Sequence, residues 1–299
     1  MPRPDLELID VGYRKIPIMA IGKDIYIDSR LIISKLETLY PDSTLTPATS
    51  AEAGIRKLFE SWTIDGGIFA NAVKLMPYWK ETGPLSSKAF VDDREKLAGR
   101  RMTAENMEAG RPDGAQHIQL AFDLLENTFL DDGRDWVLAT KEPSLADIDA
   151  VWPFKWLLME PTMKDSLPAE HFGKERYPKV YAWVARFVAE TEKKRKELGK
   201  ATALDGKAMA KRTLSASSPE DVSFVDCDPL GLSKGENVEV SPSDYGQMGK
   251  STGNLIGLTI HEVVIQNSKG LHLHFPRWNF SIKRVAAKSE EEVKKESKI

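Results

Sequence analysis

Residues 16–31 read IPIMAIGKDIYIDSRL, and the organisation of the chain is read outward from them. Two short β-prone runs, 16–20 and 24–27, flank Gly22-Lys23, which is a hairpin signal. Asp28 then stands before SRLIISKLETLYP, where Leu31, Ile32, Leu36 and Leu39 fall on one side of a helix. Asp is a good N-cap, and Pro41 ends the run. The Ile16-Pro17 bond has two readings. It is a cis bond, a form taken by only about 5–6% of X-Pro bonds, or an ordinary trans proline opening an edge strand.

Downstream of this hairpin the pattern turns helical. In residues 51–79, Ile55, Leu58, Phe59, Trp62, Phe69, Ala72, Val73 and Met76 follow helical spacing, interrupted at Asp65-Gly66. Residues 80–112 are polar, with Gly and Pro near both ends, and are expected as loop with a partial helix. Further helices are expected over about 116–129, from Ser144, and after Pro178. The run KKRKELGK at the end of the last is expected as a solvated face. Ser144 with Asp147 spells a capping box, a helix start needed for folding.

The character changes near Leu204. Residues 205–219, DGKAMAKRTLSASSP, are expected as linker. Beyond them lie short β-prone runs at 222–225, 238–240, 255–260, 263–265, 271–275 and 280–285, separated by turns. The expected architecture is α+β and multidomain: a small hairpin-and-helix unit (1–41), an all-helical domain (48–201), a linker (202–218), a small all-β barrel-like domain (219–286) and a charged, disordered tail (287–299).

The 299 residues carry a net charge of -3, so there is no global basic field to recruit nucleic acid. Cys227 is the single cysteine, which excludes an internal disulfide framework and suits a reducing compartment. No apolar run approaches the roughly 20 residues that span a bilayer, and MPRPDLELID lacks an apolar signal core. Neither a nucleic-acid nor a membrane partner is expected.

Ile16-Pro17, Asp28-Ser29, PSLADIDAVW (143–152) and YPKVYAWVARF (177–187), taken in order, resemble the glutathione transferases over roughly residues 1–195. Residues 219–286 resemble an added domain of some fungal proteins of that type, through Asp226-Cys227-Asp228-Pro229, EVSPSDYG and the HFPR run at 274–277. The resemblance implies that residues 1–41 are a partial thioredoxin-like unit and 48–201 the family's all-helical domain, with glutathione as cosubstrate, a small electrophile as second substrate and a homodimer. It also implies that the segment supplying the thiolate-stabilising Ser, Tyr or Cys precedes residue 1, and that this chain is impaired as a catalyst.

Glutathione is an acidic tripeptide thiol. The residue before a cis-proline turns its backbone outward, so Ile16, with Pro17 behind it, is expected to pair with the cysteinyl backbone as an added strand. Asp28 is the candidate for the γ-glutamyl ammonium, although most of the family carries Glu there. Ser29 and the helix start are candidates for a carboxylate. Lys15 is a further candidate contact. Trp62, Asp65 and Phe69 are candidates for the acceptor pocket; the competing reading makes Gly66 a close helix crossing and Asp65 a backbone partner. Tyr13 and Tyr26 do not match the catalytic motif, and Cys227 is expected to be inert. His272 and His274 alternate on one strand face, but no third ligand is evident, so a structural pair and no metal are expected.

Three functional readings stand. The chain is glutathione-transferase-like, conjugating glutathione or using it for thiol or peroxide chemistry when intact; it is a non-catalytic scaffold acting through its C-terminal β segment; or the sequence is an incomplete piece of an active enzyme. A cytoplasmic location is expected, with a peroxisomal pool as the alternative because Ser297-Lys298-Ile299 approaches the Ser-Lys-Leu address.

Overall fold

The structure is a computed structural model and describes residues 3–217 and 221–285. In chain order its elements are α1 (Pro4–Glu7), β1 (Ile18–Ile21), β2 (Asp24–Ile27), α2 (Ser29–Leu39), α3 (Ser50–Ile64), α4 (Ile68–Lys74), α5 (Lys88–Ala98), α6 (Ala104–Leu124), α7 (Leu145–Met159), α8 (Ala169–Phe172), α9 (Pro178–Leu198), α10 (Gly206–Leu214), β3 (Asn237–Pro242), β4 (Ser251–Leu258), β5 (Glu262–Gln266), β6 (His272–Pro276) and β7 (Phe280–Arg284). They divide into two units. One comprises Met1–Leu39, Asp93–Arg100 and Ala203–Ile299; the other comprises Tyr40–Asp92 and Arg101–Thr202. Among the described residues no helix is long and apolar enough to cross a membrane.

The first unit corrects the expected division of the chain. The N-terminal hairpin and the C-terminal strands form one seven-stranded sheet, in the order β1-β2-β6-β5-β4-β3-β7. Every neighbouring pair is antiparallel except β2 and β6, which run parallel with Asp24 beside His272, Ile25 beside Leu273 and Tyr26 beside His274. The reason is burial. Ile25 and Ile27 alternate onto the same face as Leu273, Phe275, Val263, Ile265 and Leu255, and Ile9, Val11 and Tyr13 complete that core. A hairpin of two strands cannot bury such a face alone. The expected linker is not one either. Asp205 caps α10 by accepting the Ala208 N–H at 2.7 Å, and Ala210 and Thr213 are buried. Of the expected strands, 222–225 is reduced to a single bridge, Phe224 to Leu258. The tail beyond residue 285, including Ser297-Lys298-Ile299, lies outside the described residues.

The two motifs around Asp228 and Arg277 meet in this unit. The Arg277 guanidinium donates to both Asp228 carboxylate oxygens, at 2.7 and 3.2 Å, and to the Thr259 carbonyl at 2.8 Å. These donations hold the Asp228 carboxyl below the usual carboxylate range, against the opposing effect of burial. A depressed carboxylate contributes stability that is present above its unfolded value of about 4 and is lost as pH falls through the folded value. Asp228→Ala is therefore expected to cost about 1–2 kcal/mol at pH 7. Urea unfolding of the two proteins below pH 4 checks the origin of this difference, which should shrink there; a gap independent of pH would assign it to packing instead.

The second unit is helical. α3 packs on α7, α4 on α6 and α7 on α9 around Trp183, Phe122, Phe154 and Phe172, all fully buried. Thr49 and Glu52 form a capping box at the start of α3. The long helix expected over 51–79 is broken into α3 and α4. At Gly66 a Cβ would lie 2.6 Å from the Trp62 carbonyl, and Gly67 has φ +82°, so the chain turns where a side chain has no room. The polar stretch 80–112 is more ordered than its composition suggests. It holds α5 and the first half of α6, which runs through Gly110 and Pro112. Thr103 caps α6, and Arg111 donates to the carbonyls of Leu75 (2.9 Å) and Ser166, so tertiary bonds outweigh the helix-breaking residues.

Candidate functional site

The expected glutathione residues gather at one end of β1. Pro17 precedes β1 directly, the Ile16-Pro17 bond is cis, and Ile18 pairs with Ile27. That register sets Ile16 and Pro17 beside the start of α2. Ile16 is 66% exposed, and Pro17 and Ser29 are exposed too. Among the described residues β1 ends the sheet, so its outer edge has no strand beside it. A groove of about 430 Å³ runs along it, lined by Leu6, Ile9, Ile16, Ile18, Ala20 and Met209 among others.

Asp28 sits at φ +74°, a left-handed conformation that Asp tolerates better than most residues. One carboxylate oxygen accepts the Arg30 N–H at 3.0 Å, and the other is 3.5 Å from the Tyr13 hydroxyl. Burial pushes the Asp28 carboxyl up, while the Arg30 N–H and the nearby positive charges oppose the rise. Tyr13 is itself buried. Desolvation, then the Asp28 charge, hold its phenol well above the ordinary tyrosine range. It therefore stays protonated and donates to Asp28.

Three neighbours were not legible as site residues. Besides Tyr13, they are Arg30, whose guanidinium stands 5.9 Å from the Trp278 ring, and Asp244, in the loop between β3 and β4. Asp244 changes the reading of Lys15. The ammonium lies 2.8 Å from each Asp244 carboxylate oxygen, so Lys15 has an ion-pair partner within the protein. The EVSPSDYG turn, noticed in the sequence, carries this partner.

In the helical unit, the acceptor-pocket candidates separate. Trp62 stacks on Phe154 with ring centroids 6.0 Å apart and packs against the core. Asp65 is exposed and accepts from the Ser61 hydroxyl at 3.1 Å, at the end of α3. Phe69 is 39% exposed and meets Trp152 and Trp156 at centroid distances of 4.9 and 5.6 Å. The two tryptophans are spaced i, i+4 on α7, a signal hidden in the sequence because that helix is apolar on all sides. Cys227 is exposed and free. His272 and His274 share a face with Asp24, a neighbour the sequence did not reveal.

A family model described as "Domain of unknown function (DUF7962)" matches residues 71–196. A search of curated proteins found no match. Among solved structures, a GST-like protein from Pseudomonas syringae is 20% identical, with a TM-score of 0.62 over 95% of this chain and 86% of its own. Weaker partial likenesses include the glutathione S-transferase Blo t 8 (16% identity, TM-score 0.39, 66% of this chain and 75% of that one). Another is a glutathione S-transferase from Methylobacterium radiotolerans, solved with glutathione sulfonate (18%, 0.38, 64% and 75%). The first likeness spans nearly the whole chain, C-terminal strands included, and it is to a bacterial protein. The chain has a glutathione-transferase-like fold.

Proposed function

We propose that this chain binds glutathione along the outer edge of β1. The observation that carries this reading is the open edge beginning at exposed Ile16, with Asp28 and Ser29 beside it at the start of α2. A tripeptide backbone pairs with such an edge as an added strand. Its γ-glutamyl ammonium meets Asp28, with the Asp244 charge close by. The Ser29 hydroxyl and the first N–H groups of α2 serve a carboxylate. Lys15 keeps its bond to Asp244 and takes no part.

Binding without efficient turnover is the second element of the reading. A free thiol has a pKa near 8.5, and a stabilising donor is needed to hold its thiolate at neutral pH. At this site the Tyr13 hydroxyl is buried and committed to Asp28, and in this reading the Ser29 hydroxyl is taken by a glutathione carboxylate. Conjugation to electrophiles or peroxide reduction by these 299 residues is therefore expected at trace level. The C-terminal strands build the sheet that carries the site, which favours this reading over that of a detached interaction module. A cytoplasmic setting accords with the single, free cysteine.

Calorimetric titration of the chain with reduced glutathione tests the proposal, with a Kd expected on the order of 1 mM. Asp28→Asn keeps an acceptor for the Arg30 N–H and tolerates the left-handed backbone, but removes the charge. It should weaken binding about tenfold. Equal affinity in the variant, or no binding by the parent, would sink the proposal.

A further inference from the structure

On the sheet face opposite the apolar core, three ligating side chains converge. His272 and His274 are two apart on β6 and point the same way. The parallel ladder sets Asp24 of β2 beside His272 and Tyr26 beside His274. Asp24 Oδ1 lies 2.9 Å from His274 Nε2 and 3.5 Å from His272 Nδ1, and the three ligand atoms lie within 4.8 Å of one another. The Asp24, His272 and His274 side chains are only 4%, 12% and 4% exposed. We propose that Asp24, His272 and His274 bind a divalent transition metal of the zinc type, which staples the N-terminal hairpin to the C-terminal strands.

Four observations support the assignment. First, zinc bonds of 2.0–2.2 Å in a tetrahedron place neighbouring ligand atoms about 3.3 Å apart, and the two Asp24 distances bracket that spacing. Second, His274 Nδ1 is 2.7 Å from Glu262 Oε1. A carboxylate behind a histidine holds the proton on Nδ1 and turns the lone pair of Nε2 toward the metal. Third, His272 Nδ1 is a buried nitrogen with no hydrogen-bond partner among the described residues. An orphaned buried polar atom is costly, and a metal bond removes the cost. Fourth, the donor set is two imidazoles and one carboxylate. This suits zinc, cobalt or nickel rather than calcium or magnesium, which take oxygen ligands. Three protein ligands leave a fourth position for water.

The placement gives the metal its role. Asp24 and His274 are 250 positions apart in the chain, and the β2–β6 ladder that joins their segments has three paired positions. A metal held from both sides binds only when that ladder is formed, so its binding energy adds to folding. The Tyr26 ring stacked on His274, at 4.5 Å between centroids, keeps the imidazole in place.

The test uses the untagged full chain, stripped with chelator, and no glutathione. Zinc and cobalt are titrated separately, followed by elemental analysis, visible cobalt absorption and melting temperature. Stoichiometric zinc, a tetrahedral cobalt spectrum and a raised melting temperature are expected. His272→Ala removes a side chain whose Nδ1 makes no hydrogen bond, so it should fold like the parent yet bind at least about 100-fold more weakly. Asp24→Asn should do likewise, and Glu262→Gln should weaken binding about tenfold. Circular dichroism checks that each variant is folded. No stoichiometric zinc, or zinc held equally well by folded His272→Ala and Asp24→Asn, would overturn the proposal.

Discussion

Residues 203–285, produced without residues 1–39, are expected to remain unfolded. Ile9, Val11, Tyr13, Ile25 and Ile27 are each at most 4% exposed and belong to the same core as the C-terminal strands. Full burial of such a side chain is worth about 1.5–3 kcal/mol, so five together contribute about 10 kcal/mol. Whole domains are stable by only about 5–15 kcal/mol. Polar contacts are lost as well: the Asn267 amide donates to the carbonyls of Ile9 (2.9 Å) and Asp10 (3.1 Å), and the Gly12 N–H donates to the Ser251 hydroxyl at 3.1 Å. The backbones meet so closely that a Cβ on Gly12 would fall 1.6 Å from the Lys250 carbonyl oxygen. The measurement is the amide proton spectrum of the fragment, alone and after adding residues 1–39. Collapsed dispersion alone is expected. A dispersed spectrum with a cooperative melt would mean that the C-terminal strands form an autonomous barrel.

This organisation marks the limit of what the sequence reveals. The hairpin at 18–27, the helix starts at Ser29 and Leu145 and the end of the helix before Pro41 are local events, set by alternation, capping and proline within a few residues. The strand against which β2 pairs is not local. Ile25 and Ile27 announce a buried face, but nothing near them says that Leu273 and Phe275 cover the same one. For the same reason Asp24 was invisible as a partner of His272 and His274: the pairing depends on register between distant strands. The ion pair of Lys15 was invisible for the same reason: its partner, Asp244, arrives from a loop more than two hundred residues later. Composition concealed one helix and the first half of another. α10 hides its buried Ala210 and Thr213 among lysines and arginines. The start of α6 contains Gly110 and Pro112, and its support comes from Thr103 and Arg111. In both, tertiary packing decided against local propensity.

Replacing Asp147 by alanine is expected to be among the most damaging single changes in the helical unit. Its side chain is fully buried and accepts four hydrogen bonds. The donors are the Trp183 indole Nε1–H (3.0 Å), the Val137 N–H (2.9 Å), the Ser144 N–H (3.0 Å) and the Ser144 hydroxyl (3.0 Å). One carboxylate thus caps α7, fixes the preceding loop and orients the largest fully buried side chain. Alanine leaves those donors without an acceptor, and each orphan costs about 1–3 kcal/mol. The losses overlap, because the structure can relax and water can enter. A total of about 4–5 kcal/mol is expected, at the upper end for a point change. Two further variants separate the contributions. Ser144→Ala removes only the hydroxyl bond and should cost about 1 kcal/mol, as for an ordinary cap. Asp147→Asn retains one acceptor oxygen but turns an N–H₂ toward donors, so about 2–3 kcal/mol is expected. Urea unfolding followed by tryptophan fluorescence and by far-ultraviolet dichroism gives the three values. If Asp147→Ala costs no more than Ser144→Ala, Asp147 acts only as a cap, and its bonds to Trp183 and Val137 contribute nothing to stability.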